Sequence, residues 1–582
     1  MVNYHHVRVE LYKKLRKSEK VYSSSPIILD EVFGFSISRK INKGVSTLTF
    51  KVSNAKNKLF RRLFSGDGST KVFTLPFSFP ADYINEISSY PELFQVYVNG
   101  SLKSYPADYT VSGNQLIFSS APASGHLNID VRYNIVSSDD LVRIYIWKNS
   151  DTYSYADRVV EGIITEPKTD SAANKKYITV YAKGLMNVIL SALAPPPLIE
   201  KHKCYEHMIN ILAHINSTNP TRRILGATPE EWESELGNPT KKYDGSEFPD
   251  VDYTTAFKNC IECLDDLSSD TYTEDGQYMF WVDYIPERDA YGFFWRPKKE
   301  VLPQTTLTKS ISATDQTIYV DSTKNWLHNA GFIKIGSEII KYNGKTSNAF
   351  LNCVRGAEGT TATSHSAGET VSGFYEIVYG QQEMLAMSAE QDTDEVINFV
   401  IYNVGTAPDG SNVDYLEINT DSVASQFGKW LYYTKTSNTI SQIIAKEQNA
   451  HPDSFPRDDQ GRFTSVYPSS YPYTFTFNAL DDNLQELSYK AVAYSDDDYN
   501  KIIKTKAHAE ARKEVLKLLS LYSGARMRAK ITYSFTNKYA IGALALVTLP
   551  DLGLYSKKLR IVQIDYDFWT TTLTLEEDYG TI

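Results

Sequence analysis

Residues 32–52 read Val32-Phe33-Gly34-Phe35-Ser36-Ile37-Ser38-Arg39-Lys40-Ile41-Asn42-Lys43-Gly44-Val45-Ser46-Thr47-Leu48-Thr49-Phe50-Lys51-Val52. Val32, Phe33, Phe35 and Ile37 on one side, and Val45, Leu48, Phe50 and Val52 on the other, flank the turn cluster Asn42-Lys43-Gly44. Two runs of roughly period-2 apolar residues around such a cluster signal a β-hairpin. The same texture returns at Leu141–Trp147, Arg158–Thr165 and Lys176–Ala182. Between them the chain changes character at Gly66-Asp67-Gly68-Ser69-Thr70. Strand units follow at Phe94–Val98 before Asn99-Gly100, at Tyr109–Phe118 broken at Ser112-Gly113-Asn114, and at Leu127–Tyr133. This predicts a small β-sandwich inserted into a β domain, an insertion made cheap by the slow growth of loop-closure entropy with length.

After Pro195-Pro196-Pro197 the period becomes helical, at Tyr205, Met208, Ile209, Ile211, Leu212 and Ile215 and again at Phe257, Ile261, Leu264 and Leu267. Tyr278–Trp281 and Tyr291–Trp295 read as arms of a hairpin connected through Ile285-Pro286-Glu287. A second compact β module is expected over about 305–373, around Ile335-Gly336-Ser337-Glu338-Ile339-Ile340. In the last third one amphipathic helix is expected, its stripe formed by Ala507, Ala511, Val515, Leu518, Leu519 and Tyr522 and its end marked by Ser523-Gly524. Strands follow at Met527–Phe535, Leu544–Leu549, Lys558–Tyr566 and Thr570–Leu575, with a tight turn around Asp551-Leu552-Gly553. The fold class is mainly β with an α+β middle. The domain reading is 1–62 plus 137–190, 63–136 as an inserted sandwich, 191–304 as an α/β middle, 305–374 as a second insert, and 375–582 as a β domain with one long helix.

Composition agrees with this. The 582 residues carry 41 Tyr and 26 Phe, which suit half-buried pleated surfaces, and 42% hydrophobic residues, enough for several cores. Against 70 Asp and Glu stand 60 Lys and Arg, a net charge of −10, which argues against a nucleic-acid binder with a dominant basic face. No secretory leader reads from the N-terminus and no run of about 18 apolar residues marks a membrane span. Four Cys are too few for a disulfide scaffold and suggest a reducing compartment.

Chemistry-bearing candidates are few. Cys260 and Cys263 share the i, i+3 spacing of zinc and redox sites, with His202, Cys204 and His207 upstream as further ligands; the competing reading makes both thiols part of a buried stripe. Asp265-Asp266, Asp481-Asp482 and Asp496-Asp497-Asp498 would supply paired carboxylates, but adjacent side chains usually point apart. His365 and His451, the latter in His451-Pro452-Asp453, are expected to be solvated loop histidines. The basic runs Lys56, Lys58, Arg61, Arg62 and Lys13, Lys14, Arg16, Lys17, Lys20 are expected in solvated turns. The sequence contains no Gly-x-Ser-x-Gly, His-Glu-x-x-His or Gly-x-x-x-x-Gly-Lys-Ser/Thr motif. No residue is assigned a catalytic, cofactor-binding or metal-binding role, and no cofactor is expected.

The N-terminal Phe33–Gly44 segment with Val159-Val160-Glu161-Gly162-Ile163-Ile164-Thr165 resembles the first tube-forming domain of bacteriophage tail hub proteins. Asp421-Ser422-Val423-Ala424-Ser425-Gln426-Phe427-Gly428, the helix ending near Tyr522, and Leu559-Arg560-Ile561-Val562-Gln563-Ile564-Asp565-Tyr566 are similar to the second such domain. The Gly66–Thr70 module with Asp108-Tyr109-Thr110-Val111, and the second insert with Cys353-Val354-Arg355-Gly356-Ala357-Glu358-Gly359-Thr360, resemble small β-sandwiches of tail and fibre proteins. The resemblance implies two tube-forming, β-barrel-like domains and a non-enzymatic homotrimer, a ring that adapts a six-fold tail tube to a three-fold tip. It further implies a channel for DNA that passes without specific binding, and a place in the virion tail tip or baseplate after assembly in the host cytoplasm. Tail tube and distal tail proteins, the tape-measure protein and tip spike or fibre proteins are the partners it implies. A virion-associated polysaccharide or cell-wall hydrolase and a carbohydrate-binding adhesin are the alternatives.

Overall fold

A computed structural model describes residues 5–16, 21–41, 47–55, 58–148, 158–172, 175–196, 202–218, 223–241, 247–248, 250–251, 253, 258–270, 278–285, 288–297, 303–323, 326, 331–357, 360–373, 375–378, 384–392, 396–420, 432–480, 486–522, 526–536 and 539–577. The protein is mainly β. Its centre is a thirteen-stranded sheet drawn from both ends of the chain. Its strands are β1 His5–Tyr12, β2 Ile27–Leu29, β3 Val32–Lys40, β4 Thr47–Ser53, β5 Leu141–Lys148, β6 Arg158–Ala172, β7 Lys175–Gly184, β8 Tyr375–Val378, β9 Met384–Asp392, β10 Arg526–Ser534, β11 Leu544–Leu549, β12 Leu554–Asp567 and β13 Thr570–Glu577. The path runs β2-β1-β5-β6-β7-β4-β3-β12-β13-β10-β9, with β11 beside β12 and β8 beside β11.

The period-2 reading of residues 32–52 holds: β3 and β4 pair antiparallel, Phe35 opposite Phe50 and Ile37 opposite Leu48, with those four side chains buried. The turn at Asn42-Lys43-Gly44 lies outside the described residues. Residues 61–133 form sheets of their own, and no strand of theirs enters the large sheet. There, Asn99 and Gly100 both adopt positive φ, 50° and 79°, as a two-residue turn between right-twisted strands requires. Tyr109–Phe118 is one strand; Gly113, at φ 55°, marks a register shift inside it and does not break it.

The middle region packs helices α1 Cys204–Thr218 and α2 Cys260–Asp270 against the hairpin Tyr278–Ile285/Ala290–Pro297, around Trp232, Trp295, Phe248 and Tyr278. Residues 304–373 form two small sheets around Ile333, Ile340, Phe350 and Val371. The long helix α3, Asp496–Tyr522, buries Tyr499, Ile503, Ala507, Ala511, Val515 and Leu519. A side chain at every fourth position keeps to one slowly drifting stripe, and this one covers the sheet of Phe399–Thr406 and the hairpin Tyr473–Leu480/Glu486–Ala493. Its expected stop at Ser523-Gly524 lies outside the described residues. No helix among the described residues is long and apolar enough to cross a membrane.

Candidate assembly surface

Eight strands of the large sheet, in the order β6-β7-β4-β3-β12-β13-β10-β9, are antiparallel throughout. They form a wall with two unlike faces. One face carries Ala182, Leu48, Ile37, Ile564, Leu573 and Ile531, all buried. The other carries, in one row across seven strands, Lys183, Thr47, Ser38, Asp565, Thr572, Thr532 and Ala386. These side chains are half-buried or exposed and mostly short hydroxyls. They bond laterally: Thr532 Oγ1 and Thr572 Oγ1 are 3.1 Å apart, and Gln563 Nε2 donates to Ser38 Oγ at 3.3 Å. Lys40, Lys51, Lys168, Lys183, Arg528 and Lys530 share this face with Glu166, Glu390, Asp565, Asp567 and Glu576, so neither sign dominates it.

The wall consists of two blocks with one connection order. In the first, β3, β4, β6 and β7 occupy the fourth, third, first and second places; in the second, β9, β10, β12 and β13 occupy the same places. The irregularities match as well. β6 shifts register between Ile164 and Glu166 and β12 between Ile561 and Gln563; β3 shifts between Val32 and Gly34 and β9 between Met384 and Ala386. Each first strand is flanked along its N-terminal half by an antiparallel neighbour, β5 on β6 and β11 on β12.

The blocks join where β3 meets β12, Ser36 to Lys40 opposite Asp567 to Gln563. On the buried side the Arg39 guanidinium donates to Asp283 of the middle hairpin. Burial would push Arg39 down, but the Asp283 carboxylate and the Tyr566 hydroxyl outweigh it and hold the group above its ordinary value. Trp281 of the same hairpin lies flat against Gly542, where an added Cβ would sit 2.6 Å from the indole. On β6, Glu161 accepts from Arg143 Nε at 3.0 Å and from Tyr291 Oη at 2.9 Å, so the hairpin's polar ties, through Asp283 and Tyr291, reach two strands of the first block.

The sequence candidates fall elsewhere. Cys204, Cys260 and Cys263 are buried in the core of the middle region, and burial pushes the Cys260 thiol up to about 12 and Cys263 upward too. His207 bonds the Val251 carbonyl at 3.0 Å and His202 lies 3.2 Å from Glu206. Among the described residues no group of three or more His, Cys, Asp or Glu could hold a metal ion. Asp266 accepts from Tyr253 and Lys258 while Asp265 faces out. Asp496, Asp497 and Asp498 open α3, where the helix dipole favours them. Asp481-Asp482 lie outside the described residues.

Two expectations are corrected. His365 is buried, not solvated: its Nε2 is 2.8 Å from Glu338 Oε2 and its Nδ1 is 3.0 Å from Glu369 Oε2. Glu338, fully buried, also accepts from Arg355 Nε and Nη2, both at 2.8 Å, and from the Gly356 and Thr363 amides. Burial pushes this carboxyl up, yet these donors together hold it at about 2. The N-terminal basic run is likewise not a solvated turn throughout. Lys13 is buried and its ammonium donates to Asp140 at 2.5 Å, to two carbonyls and to Ser137. Lys14 and Arg16 pair at the surface with Asp139 and Glu92, and Lys17 and Lys20 lie outside the described residues. In the second run Lys58 pairs with Glu31, Arg61 binds Asp130 with two nitrogens, Arg62 stacks on Phe64, and Lys56 is outside the described residues.

The wall was the feature missed in sequence. Its only trace is the return of strand texture at both ends of the chain, because the blocks share connection order and register without sharing residues.

The fold and its surface thus define a mainly-β protein built around an open wall. No family model matches the chain, and no curated protein matches it. Solved structures that resemble it include a tail protein from Neisseria meningitidis, at 8% identity and TM-score 0.39 over 99% of this chain and 97% of that one. The 43 kDa tail protein of prophage MuSo2 from Shewanella oneidensis matches at 6% identity and TM-score 0.38, covering 98% of each chain. Prophage tail protein gp18 from Listeria monocytogenes matches at 10% and 0.37, over 99% and 95%.

Proposed function

We propose that this chain is the structural hub of a phage tail tip or baseplate, a homotrimeric ring that adapts a six-fold tail tube to a three-fold tip and encloses the channel for DNA delivery. The observation that carries the reading is the repeated four-strand block. Two like blocks per chain make six per trimer, so one molecule presents six-fold repetition on one side while its middle region and inserts keep three-fold symmetry. The wall's open face supports the same reading. A face without a dominant positive charge gives phosphates little to bind, since polyanion affinity grows with the number of Lys and Arg contacts. In this reading the tail tube and distal tail proteins and the tape-measure protein dock above. Spike or fibre proteins dock below, the chain resides in the virion, and it has no catalytic role.

Light scattering followed by negative-stain class averages tests the proposal. Three copies of the 65.8 kDa chain in a three-fold ring with a central opening are expected. A compact monomer at every concentration would overturn it.

A further inference from the structure

The first inserted module, residues 61–133, has two unlike ends. Its entering strand Arg61–Gly66 leaves the linker from β4, and its returning strand Gly125–Tyr133 runs back to the linker to β5, with Arg132 opposite Arg61 and Gly125 opposite Gly66. Residues 65–72, 98–103 and 117–128 therefore build the end far from both linkers.

The near end is clamped. Asp82 and Glu86, on and just after the short helix Ala81–Asn85, accept backbone amides of the segment that joins β1 to β2: Ser24 at 2.6 Å, and Arg16 at 2.8 and 2.9 Å from the two Glu86 oxygens. Arg16 Nη1 donates to Glu92 at 2.6 Å, and Lys13 Nζ holds the returning linker by the Asn134 and Ile135 carbonyls. The far end is fastened from within. Asn128 Oδ1 accepts the Gly66 amide at 2.8 Å, while its Nδ2 donates to the Ala123 carbonyl at 2.9 Å and to Asn99 Oδ1 at 3.2 Å, so one side chain ties three loops. Asp67 accepts from Ser69 and Thr70 of its own turn, and Lys71 donates to the Ser119 carbonyl.

What the far end turns outward is apolar. Val72, Leu102 and Leu127 are 46, 56 and 46% exposed; they are the module's exposed large apolar side chains, and all three lie in its far half. Leu127, its amide bonded to Ser65 Oγ at 3.0 Å, also sits at φ 48°. A bulky side chain takes that left-handed conformation at a cost that glycine escapes, and strain of this kind, enforced by the surroundings, clusters at functional sites.

We propose that the far end of the first module is a docking tip for another folded protein, whose apolar pocket receives Leu127, with Val72 of one sheet and Leu102 of the other on its flanks. The chemistry selects a protein. Sugars are gripped by exposed aromatic rings and free amides and carboxylates; here no aromatic side chain is exposed, and Asn99, Asn128 and Asp67 already bond within the module. A phosphate backbone or an anionic bilayer calls for clustered cations, and the far end carries Lys71 and Lys103 alone. A clamped base and fastened loops leave little freedom to lose on binding, which lets a small apolar contact suffice. The partner is one of the proteins that meet the tail tip, so the proposal rests on the hub reading.

The test places the photoreactive residue benzoylphenylalanine at position 127 of the full-length chain. It is irradiated with each purified structural protein of the particles that contain the chain, and in parallel with phosphatidylglycerol vesicles and a glycan array. One protein should crosslink through an apolar peptide located by mass spectrometry, and should bind the unlabelled chain. Leu127→Asp should weaken that binding about tenfold or more. Leu127→Gly removes the side chain and relieves the backbone, so its melting temperature should stay level or rise while binding falls equally, which a merely structural role would not produce. Thr110→Asp, exposed in the near half, should leave affinity unchanged. Binding indifferent to both Leu127 variants, or seen only with vesicles or glycans, would overturn the proposal. Particles that contain the chain but yield no crosslinked protein would overturn it and leave the hub reading standing. Absence of the chain from every tail particle would overturn both.

Discussion

The wall and the second inserted module are made of similar strands and finish in opposite ways. The module, residues 304–373, closes on itself: its deepest charge, Glu338, is surrounded by Arg355, His365 and two backbone amides, and nothing in that cluster is left for a partner. The wall leaves a face of hydroxyls half-buried or exposed and, among the described residues, two outer strand edges without a neighbour. A buried carboxylate must be satisfied locally because the cost of stranding it is paid within one domain. Backbone edges, by contrast, tolerate water, which can take the place of a neighbouring strand. The difference separates a unit whose polar groups are satisfied within itself from one that keeps backbone and hydroxyl groups at its surface.

Glu338→Ala should break the closed unit most severely. It strands the Arg355 guanidinium and should cost about 4 kcal/mol, in the range for removing one member of a buried pair. Hydrogen exchange should show residues 331–342 losing protection while residues 36–40 of the wall keep theirs. Equal loss in both would mean that the module is not independent.

Arg39→Ala should follow, at about 3 kcal/mol, since it leaves Asp283 half-enclosed beside the joint between blocks without its cation. Urea unfolding would measure it, and protection should fall first along β3 and β12. A wall that unfolds with unchanged midpoint would show that the middle hairpin does not secure the joint.

Acid sharpens the comparison. The Glu338 carboxyl stands at about 2 in the folded chain, below its ordinary 4.5, so its contribution is present above about 4.5 and is lost as pH falls toward 2. The module should therefore lose stability between those values, and Glu338→Gln should flatten that dependence. A steeper acid loss in β3 and β12 than in the module would contradict this assignment.

Gly542→Ala should cost about 2 kcal/mol, because φ is 79° there and the new Cβ would meet the Trp281 ring. Tryptophan fluorescence during thermal unfolding would report it. The smallest effect is expected on the open face: Thr572→Val removes only a lateral hydroxyl contact and should shift stability by less than about 0.5 kcal/mol. A larger loss, read from the denaturant midpoint, would mean that the hydroxyl lattice holds the wall together.

Much of the local architecture was legible. Alternation at Phe35, Ile37, Leu48 and Phe50, the turn at Asn99-Gly100 and the stripe Ala507, Ala511, Val515 each express one period or one backbone requirement, written within a few residues. The long-range polar partners were not. Lys13 reads as a surface lysine until Asp140, 127 residues on, is placed beside it, and His365 reads as a loop residue until Glu338 arrives from 27 residues earlier. A polar side chain declares its burial only through partners, and spacing does not reveal them.

A strand-rich chain with one long amphipathic helix, interrupted modules and no recognisable catalytic motif can be read from residue order alone, because side-chain periodicity and turn chemistry act locally. That Ser38 meets Gln563 across 525 residues and that two blocks share one register emerge only from the folded chain. Strands join through backbone amides and carbonyls that every residue but proline carries in full, so the choice of neighbour leaves almost no mark on residue identity.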